Sequence, residues 1–167
     1  MDQDRRIAWG FSLFGDDVRQ ETGGKISLMG LYHSDMIFPG EANSPLFIPK
    51  FVVFVLYYEL KGALQTDVTF RVSIGAEDHL VAEIPVLRRD LPAARQSEEE
   101  TEGGEDLLHA RIPVVLAPFL IPGPGRLKVR AHYSDGAVLK LGSLKIRVVP
   151  TEDYKNLMQA PQESKNL

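Results

Sequence analysis

The sequence predicts an all-β fold: an antiparallel β-sandwich of immunoglobulin-like or C2-like architecture, with a β-barrel as the alternative. Three observations predict it. Apolar residues recur with a period of two in one segment after another, turn signals come roughly every ten residues, and no long segment carries the period of a helix. With 167 residues, 44% of them hydrophobic, the chain is long enough for one ordinary core and short for two. One sandwich domain is expected over residues 1–150, with a short helix or disordered tail over 151–167.

The run from Arg6 to Phe14 is apolar and aromatic, broken only by Gly10 and Ser12. It reads as a buried first strand with Trp9 as a core anchor. A charged cluster, Asp16-Asp17-Val18-Arg19-Gln20-Glu21, leads to Gly23-Gly24, whose tolerance of positive φ suits a tight hairpin. Ile26 and Leu28 then alternate with Ser27 and Met29 as a second strand. On this reading the charged cluster braces a turn between the first two core strands, and the glycines set their register.

Pro39, Pro45 and Pro49 remove too many backbone donors for long regular structure between Tyr32 and Pro49, so a loop with a short edge strand at Met36-Ile37-Phe38 is expected there. Phe51 to Leu60 is almost continuously apolar, the pattern of a central strand. After a turn at Gly62, Val68, Phe70, Val72 and Ile74 alternate with Thr69, Arg71 and Ser73, one face dry and the other wet. Leu80 to Val86 follows across Gly75-Ala76-Glu77-Asp78 as an antiparallel neighbour, and Pro85 puts it near an edge.

Residues 92–106 hold Glu98, Glu99, Glu100, Glu102, Glu105 and Asp106 with little that is apolar. Burial there cannot offset an ordering cost of ~1–2 kcal/mol per residue, so a mobile acidic loop is expected. A strand from Leu107 to Ile121 follows, and then the turn Pro122-Gly123-Pro124-Gly125. Leu127, Val129 and Ala131 point inward while Arg126, Lys128, Arg130 and His132 point outward. Ser134-Asp135-Gly136 marks a hairpin into a strand from Ala137 to Leu141. Beyond Gly142 the last strand turns Leu144, Ile146 and Val148 inward and Lys145 and Arg147 outward. Pro150 stops it, and Thr151-Glu152-Asp153 offers a helix cap.

Composition excludes several classes of function. There is no cysteine, so disulfides, thiolate metal sites and cysteine nucleophiles are ruled out, in keeping with a reducing, cytoplasmic location. No export signal is expected from the N-terminal residues, and the most apolar stretch is too short for a spanning helix, so no membrane association is expected. Net charge is −4; setting aside the six clustered acids leaves 17 of the 23 acids against 19 Lys and Arg. The body is near neutral, and nucleic acid is not the expected partner.

No motif commits the chain to catalysis. Gly10-Phe11-Ser12-Leu13-Phe14-Gly15 has one residue too many for a nucleophile elbow. His33, His79, His109 and His132 are scattered without metal-ligand spacing. Asp16, Asp17, Glu21 and Asp35 resemble the acidic end of a Ca²⁺-binding sandwich, but their spacing fits no calcium loop, and Arg19 and Lys25 stand ready to neutralise them. Catalytic, cofactor and metal residues are therefore expected to be absent. Arg126, Lys128, Arg130, Lys145 and Arg147 line up as a basic stripe if their strands share a sheet, a surface for an anion or an acidic partner, or the ordinary solvated face of a sheet. The acidic loop folded back on that stripe is a further alternative.

The segment Asp16, Asp17, Val18, Arg19, Glu21, Gly24, Lys25, Ser27, Leu28, Gly30 and Tyr32 is similar to a pattern near the N-terminus of a family of small bacterial proteins of unknown function: Asp-Asp-(Val/Ile)-Arg-x-Glu-x-x-Gly-Lys-x-Ser-(Leu/Ile)-x-Gly-x-Tyr. The likeness extends to Pro45–Pro49 and the strand after it, to Pro124–Leu127, and to Gly142-Ser143-Leu144. A cysteine often precedes the paired acids in that family, where Gly15 stands here. The resemblance implies a bacterial or phage-associated cytoplasmic protein and carries no catalytic residue. The expected function is a non-enzymatic protein-interaction or accessory module. The alternatives are a ligand-binding, metal-ion-binding or enzymatic domain built on Asp16, Asp17, Glu21 and His33, and a homo-oligomer formed through an exposed edge strand.

Overall fold

The computed structural model describes residues 8–41, 45–60, 67–86 and 107–159. The expected acidic loop, the Gly62 turn and the end of the tail lie outside the described residues. The strands in chain order are β1 (Ala8–Gly15), β2 (Asp17–Gln20), β3 (Ile26–Met29), β4 (Asp35–Pro39), β5 (Leu46–Ile48), β6 (Phe51–Leu60), β7 (Val68–Ile74), β8 (His79–Val86), β9 (Leu107–Leu116), β10 (Phe119–Ile121), β11 (Gly125–Tyr133) and β12 (Val138–Val149). They are followed by helix α1 (Thr151–Gln159). Among the described residues no helix is long and apolar enough to cross a membrane.

The molecule is a β-sandwich and not a closed barrel. One layer is a five-stranded sheet in the order β4-β12-β11-β7-β8; the other is a three-stranded sheet in the order β1-β6-β9. Two short ribbons, β2-β3 and β5-β10, stand beside them. Alternation decides what each strand contributes. Leu127, Val129, Ala131 and Tyr133 of β11 and Val68, Phe70, Val72 and Ile74 of β7 are all buried. From the other layer Phe51, Val53, Val55 and Tyr57 of β6 enter the same core. The Tyr57 ring meets Phe70 edge-on across the layers, centroids 5.3 Å apart.

A bulge explains the change of phase in β12. Val129 faces Gly142 and Arg130 faces Lys140, so Leu141 is the extra residue. Inward positions therefore switch from odd (Leu139, Leu141) to even (Leu144, Ile146), and Gly142, at φ 145°, takes up the distortion. Two strands were expected here; one bulged strand forms. The opposite difference occurs at Leu107–Ile121, which breaks at Ala117-Pro118 into β9 and β10 because Pro118 donates no backbone hydrogen bond.

Four more expectations are corrected. Trp9 is 44% exposed, because it lies on the outer side of the three-stranded sheet, which the described residues cover only at its ribbon end. Asp17–Gln20 is itself a strand, so Gly23-Gly24 (φ 80° and 75°) closes the β2-β3 ribbon and does not set register between core strands. The ribbon's polar residues cannot form a core. The edge strand β4 does form, but it runs parallel to β12. Ser73, expected on the wet face, is 6% exposed, because the Gly75–Asp78 turn and Lys128 fold over it. Helix α1 buries no residue.

Candidate functional site

The charged stretch after β1 is spent on structure. Asp16 donates its amide to the Met29 carbonyl at 2.9 Å and accepts from the Tyr32 hydroxyl at 2.6 Å. Gly30 makes this approach possible: its φ is 62°, and a Cβ there would run into the Asp16 carboxyl. Asp17 accepts from the Val18 amide at 2.8 Å, from Arg19 Nε at 3.2 Å, and from Lys50. Lys50 first, and then Arg19, holds the Asp17 carboxyl below its usual range. Glu21 accepts from the Ser27 hydroxyl, and its amide donates to the Lys25 carbonyl at 2.8 Å. Gly24 lies in the ribbon's turn beside Lys25. The Tyr32 ring packs 5.9 Å from Phe51, tying the ribbon to the core. Burial, with the adjacent Asp16 carboxyl, raises the Tyr32 hydroxyl above its usual range.

The four residues named for an alternative site do not act together. Asp16, Asp17 and Glu21 each have separate partners, and His33 is exposed and joins none of these bonds. Asp35, the remaining candidate calcium ligand, lies on β4 and pairs with Arg147 at 3.4 Å. Among the described residues no group of three or more His, Asp or Glu side chains is placed to hold a metal ion.

The five basic residues of the expected stripe do share one face, the outer face of the five-stranded sheet. Arg126 lies opposite Lys145, Lys128 opposite Ser143, and Arg147 two residues beyond Lys145. The strand register adds two cations that the sequence reading did not include, because Lys140, Arg130 and Arg71 form one row across β12, β11 and β7. Arg71 was legible as an outward residue; which strands lie side by side was not.

Carboxylates flank this face on both sides, Asp35 on β4 beside Arg147 and two more toward β8. Asp78, at φ 52° in the β7-β8 turn, takes Lys128 at 2.7 Å and Arg130 at 2.9 Å. Those two cations, Lys128 first, pull its carboxyl down to about 2. Glu83 pairs with Arg71 at 2.6 Å. Burial first, then Arg71 and Arg130, lowers the His132 imidazole below its usual range. Among the described residues no carboxylate lies within ion-pair distance of Arg126, Lys140 or Lys145; Arg126 donates to the Ser143 hydroxyl at 3.0 Å.

The outer face of the three-stranded sheet is the opposite in character. The register sets Trp9, Tyr58 and His109 in one row and Phe11, Leu56 and Arg111 in the next. Trp9 stacks on Tyr58 with centroids 5.6 Å apart and planes 13° from parallel, and Tyr58 lies 6.4 Å from His109. Trp9, Phe11 and Val115 are 44%, 47% and 48% exposed. At the far end the β2-β3 ribbon comes close: a Cβ on Gly15 would meet Leu28.

Two other features were absent from the sequence reading. A buried polar cluster sits inside the sandwich, where Tyr57 donates to Glu59 at 2.9 Å and lies 3.2 Å from the Tyr133 hydroxyl. An apolar groove of about 360 Å³ lies between β8 and β10, bordered by Ile74, Leu80, Leu116, Pro118 and Leu120, with His79 at its side. Among the described residues of the lining, this one imidazole has no acid or nucleophile beside it as a partner for acid–base or covalent chemistry. No family model, curated protein or solved structure matches the chain.

Proposed function

We propose that this chain is a non-catalytic protein-interaction module that docks the apolar surface of a partner on the outer face of its three-stranded sheet. One observation carries the reading: Trp9 and Phe11 stand almost half exposed beside Tyr58 and Leu56 on a face with no covering layer among the described residues. Contiguous apolar surface of this kind marks interaction sites, and tryptophan and tyrosine dominate their energetics. The aromatic row is also rigid, since stacking of Trp9 on Tyr58 fixes both rings before a partner arrives. The non-catalytic part of the reading is supported by the Asp16–Glu21 carboxylates, each of which already has a structural partner. Through its resemblance, the Asp16–Tyr32 stretch supports a cytoplasmic setting in a bacterium or phage.

Position 11 provides the test. Benzoylphenylalanine placed there in the full chain is irradiated in producing cells, with the same residue at Glu77 in the β7-β8 turn as control. Defined adducts from position 11 and none from position 77 are expected. Trp9, the single tryptophan, is expected to shift its emission to the blue in the isolated complex. A self-adduct, with a matching mass by light scattering, would assign the face to a second copy. No adduct at position 11, with a monomer at every concentration, would overturn the proposal.

A further inference from the structure

The sheet register divides the basic face into two neutralised margins and a middle. Toward β8, the cations are neutralised, Lys128 and Arg130 by Asp78 and Arg71 by Glu83, and at the β4 edge Arg147 is neutralised by Asp35, which lies in register with Lys145. Along β12 and its neighbour, Arg126, Lys145 and Lys140 have no carboxylate partner among the described residues, and all three are exposed. Arg126 and Lys145 are direct cross-strand partners, which places their Cβ atoms roughly 5 Å apart. Like charges in that position repel and destabilise a sheet, so a solvated face chosen for stability alone would separate them. Next to the pair, the Ser143 hydroxyl accepts from Arg126 and holds its guanidinium over β12.

We infer that the middle of the face is a binding site for an acidic polypeptide in extended conformation. The spacing supports a strand-like occupant. In the register of β11, the Arg126–Lys145 row and the Arg130–Lys140 row are four residues apart, about 13 Å. An extended peptide carries side chains of residues i and i+4 on one side over the same ~13 Å, so two glutamates at that interval meet the two rows. Lysine and arginine together suit carboxylates, the arginine through its fork and the lysine as a mobile point charge. Nucleic acid fits less well. Among the described residues this face has no aromatic platform beyond His132 for bases to stack on. This site rests on a different face and a different observation from the apolar docking surface.

The test is fluorescence anisotropy on the full chain with a labelled 12-residue peptide of alternating glutamate and serine. The same peptide with glutamine for glutamate and a 12-nucleotide oligothymidine serve as comparisons. The acidic peptide is expected to bind at least tenfold tighter than the glutamine peptide and to weaken with added salt. The R126A/K145A variant is expected to lose about tenfold and Lys140→Ala a further severalfold, while K128A, whose charge already serves Asp78, loses less. Trp9 emission stays unchanged, because it lies on the other layer. Equal binding of the glutamine peptide, or wild-type affinity in R126A/K145A, would overturn the inference. Tighter binding of oligothymidine than of the acidic peptide would overturn it in favour of nucleic acid. The exposed substitutions leave the core intact, and matched thermal unfolding checks this.

Discussion

Tyr57→Phe is the sharpest test of how this sandwich tolerates a carboxyl group in its core. Glu59 is 3% exposed and Tyr57 2%. The substitution keeps the ring, and with it the edge-on contact to Phe70. It deletes only the hydroxyl that donates to Glu59 at 2.9 Å and lies 3.2 Å from Tyr133. Leaving a buried acceptor short of a donor costs about 1–3 kcal/mol. At the middle of that range, and with a urea m-value of ~2 kcal/mol/M, the denaturation midpoint falls by roughly 1 M. Tyr58→Phe, which removes a hydroxyl on the outer face, is the control and is expected to leave the midpoint unmoved. High pH gives a second measurement. Burial, then Tyr133 and Glu59, raises the Tyr57 hydroxyl far above its unfolded value of 10.0. The folded state therefore keeps a proton that the unfolded state releases. Stability is complete below pH 10 and falls as pH rises beyond it, by up to ~1.4 kcal/mol per pH unit for this group. Tyr57→Phe removes that slope. A midpoint shift under about 0.3 M together with an unchanged alkaline slope would refute the reasoning.

Three further outcomes follow from the geometry. Gly30→Ala is expected to cost more than Gly23→Ala, about 3 against 1 kcal/mol in urea denaturation, since both have positive φ but only Gly30 is packed against Asp16; amide exchange in β2 should accelerate in the former. Ser12→Ala is expected to be neutral or to stabilise by up to ~1 kcal/mol, because the Ser12 Oγ is buried with no hydrogen-bond partner among the described residues; a loss above that amount would reveal a bond this geometry lacks. Carbon-detected NMR titration should place the Asp78 carboxyl near 2. Its folded pKa is depressed, so its contribution is present above 3.8 and lost as pH falls through about 2; K128A and R130A should each raise the midpoint.

What was legible in the chain depended on whether a strand has one dry face or two. β7 and β11 bury one side, so Phe70, Val72, Leu127 and Val129 could be assigned inward from alternation alone. Pro85 likewise placed β8 at an edge. β1 and β6 are apolar on both sides, and period two then says nothing about which side is covered. That is why the pattern alone places Trp9 in the core. Strand neighbours were not legible either, since pairing Lys140 with Arg130 and Arg71 requires the bulge at Leu141 and the order of the sheet. The charged stretch from Asp16 was not legible as a strand with its own partner. This polar strand of four residues shows no alternation of buried and exposed positions.

The error over Trp9 and the proposed docking face have one physical origin. A strand with two apolar faces normally sits between two layers, and β6 is such a strand, with Val52 and Phe54 buried on one side and Val53 and Val55 on the other. The described residues provide the second cover only at the ribbon end, where Leu28 approaches Gly15. The apolar pattern continues to Trp9 and Phe11 while the cover stops. The five-stranded sheet makes the complementary choice, with cations outward on β11 and β12 and Leu127, Val129 and Leu144 inward. Two layers lie ~10 Å apart, and substitutions at that separation with no shared contacts act additively. A change at Phe11 should therefore leave acidic-peptide binding intact, and a change at Lys145 should leave crosslinking from position 11 intact.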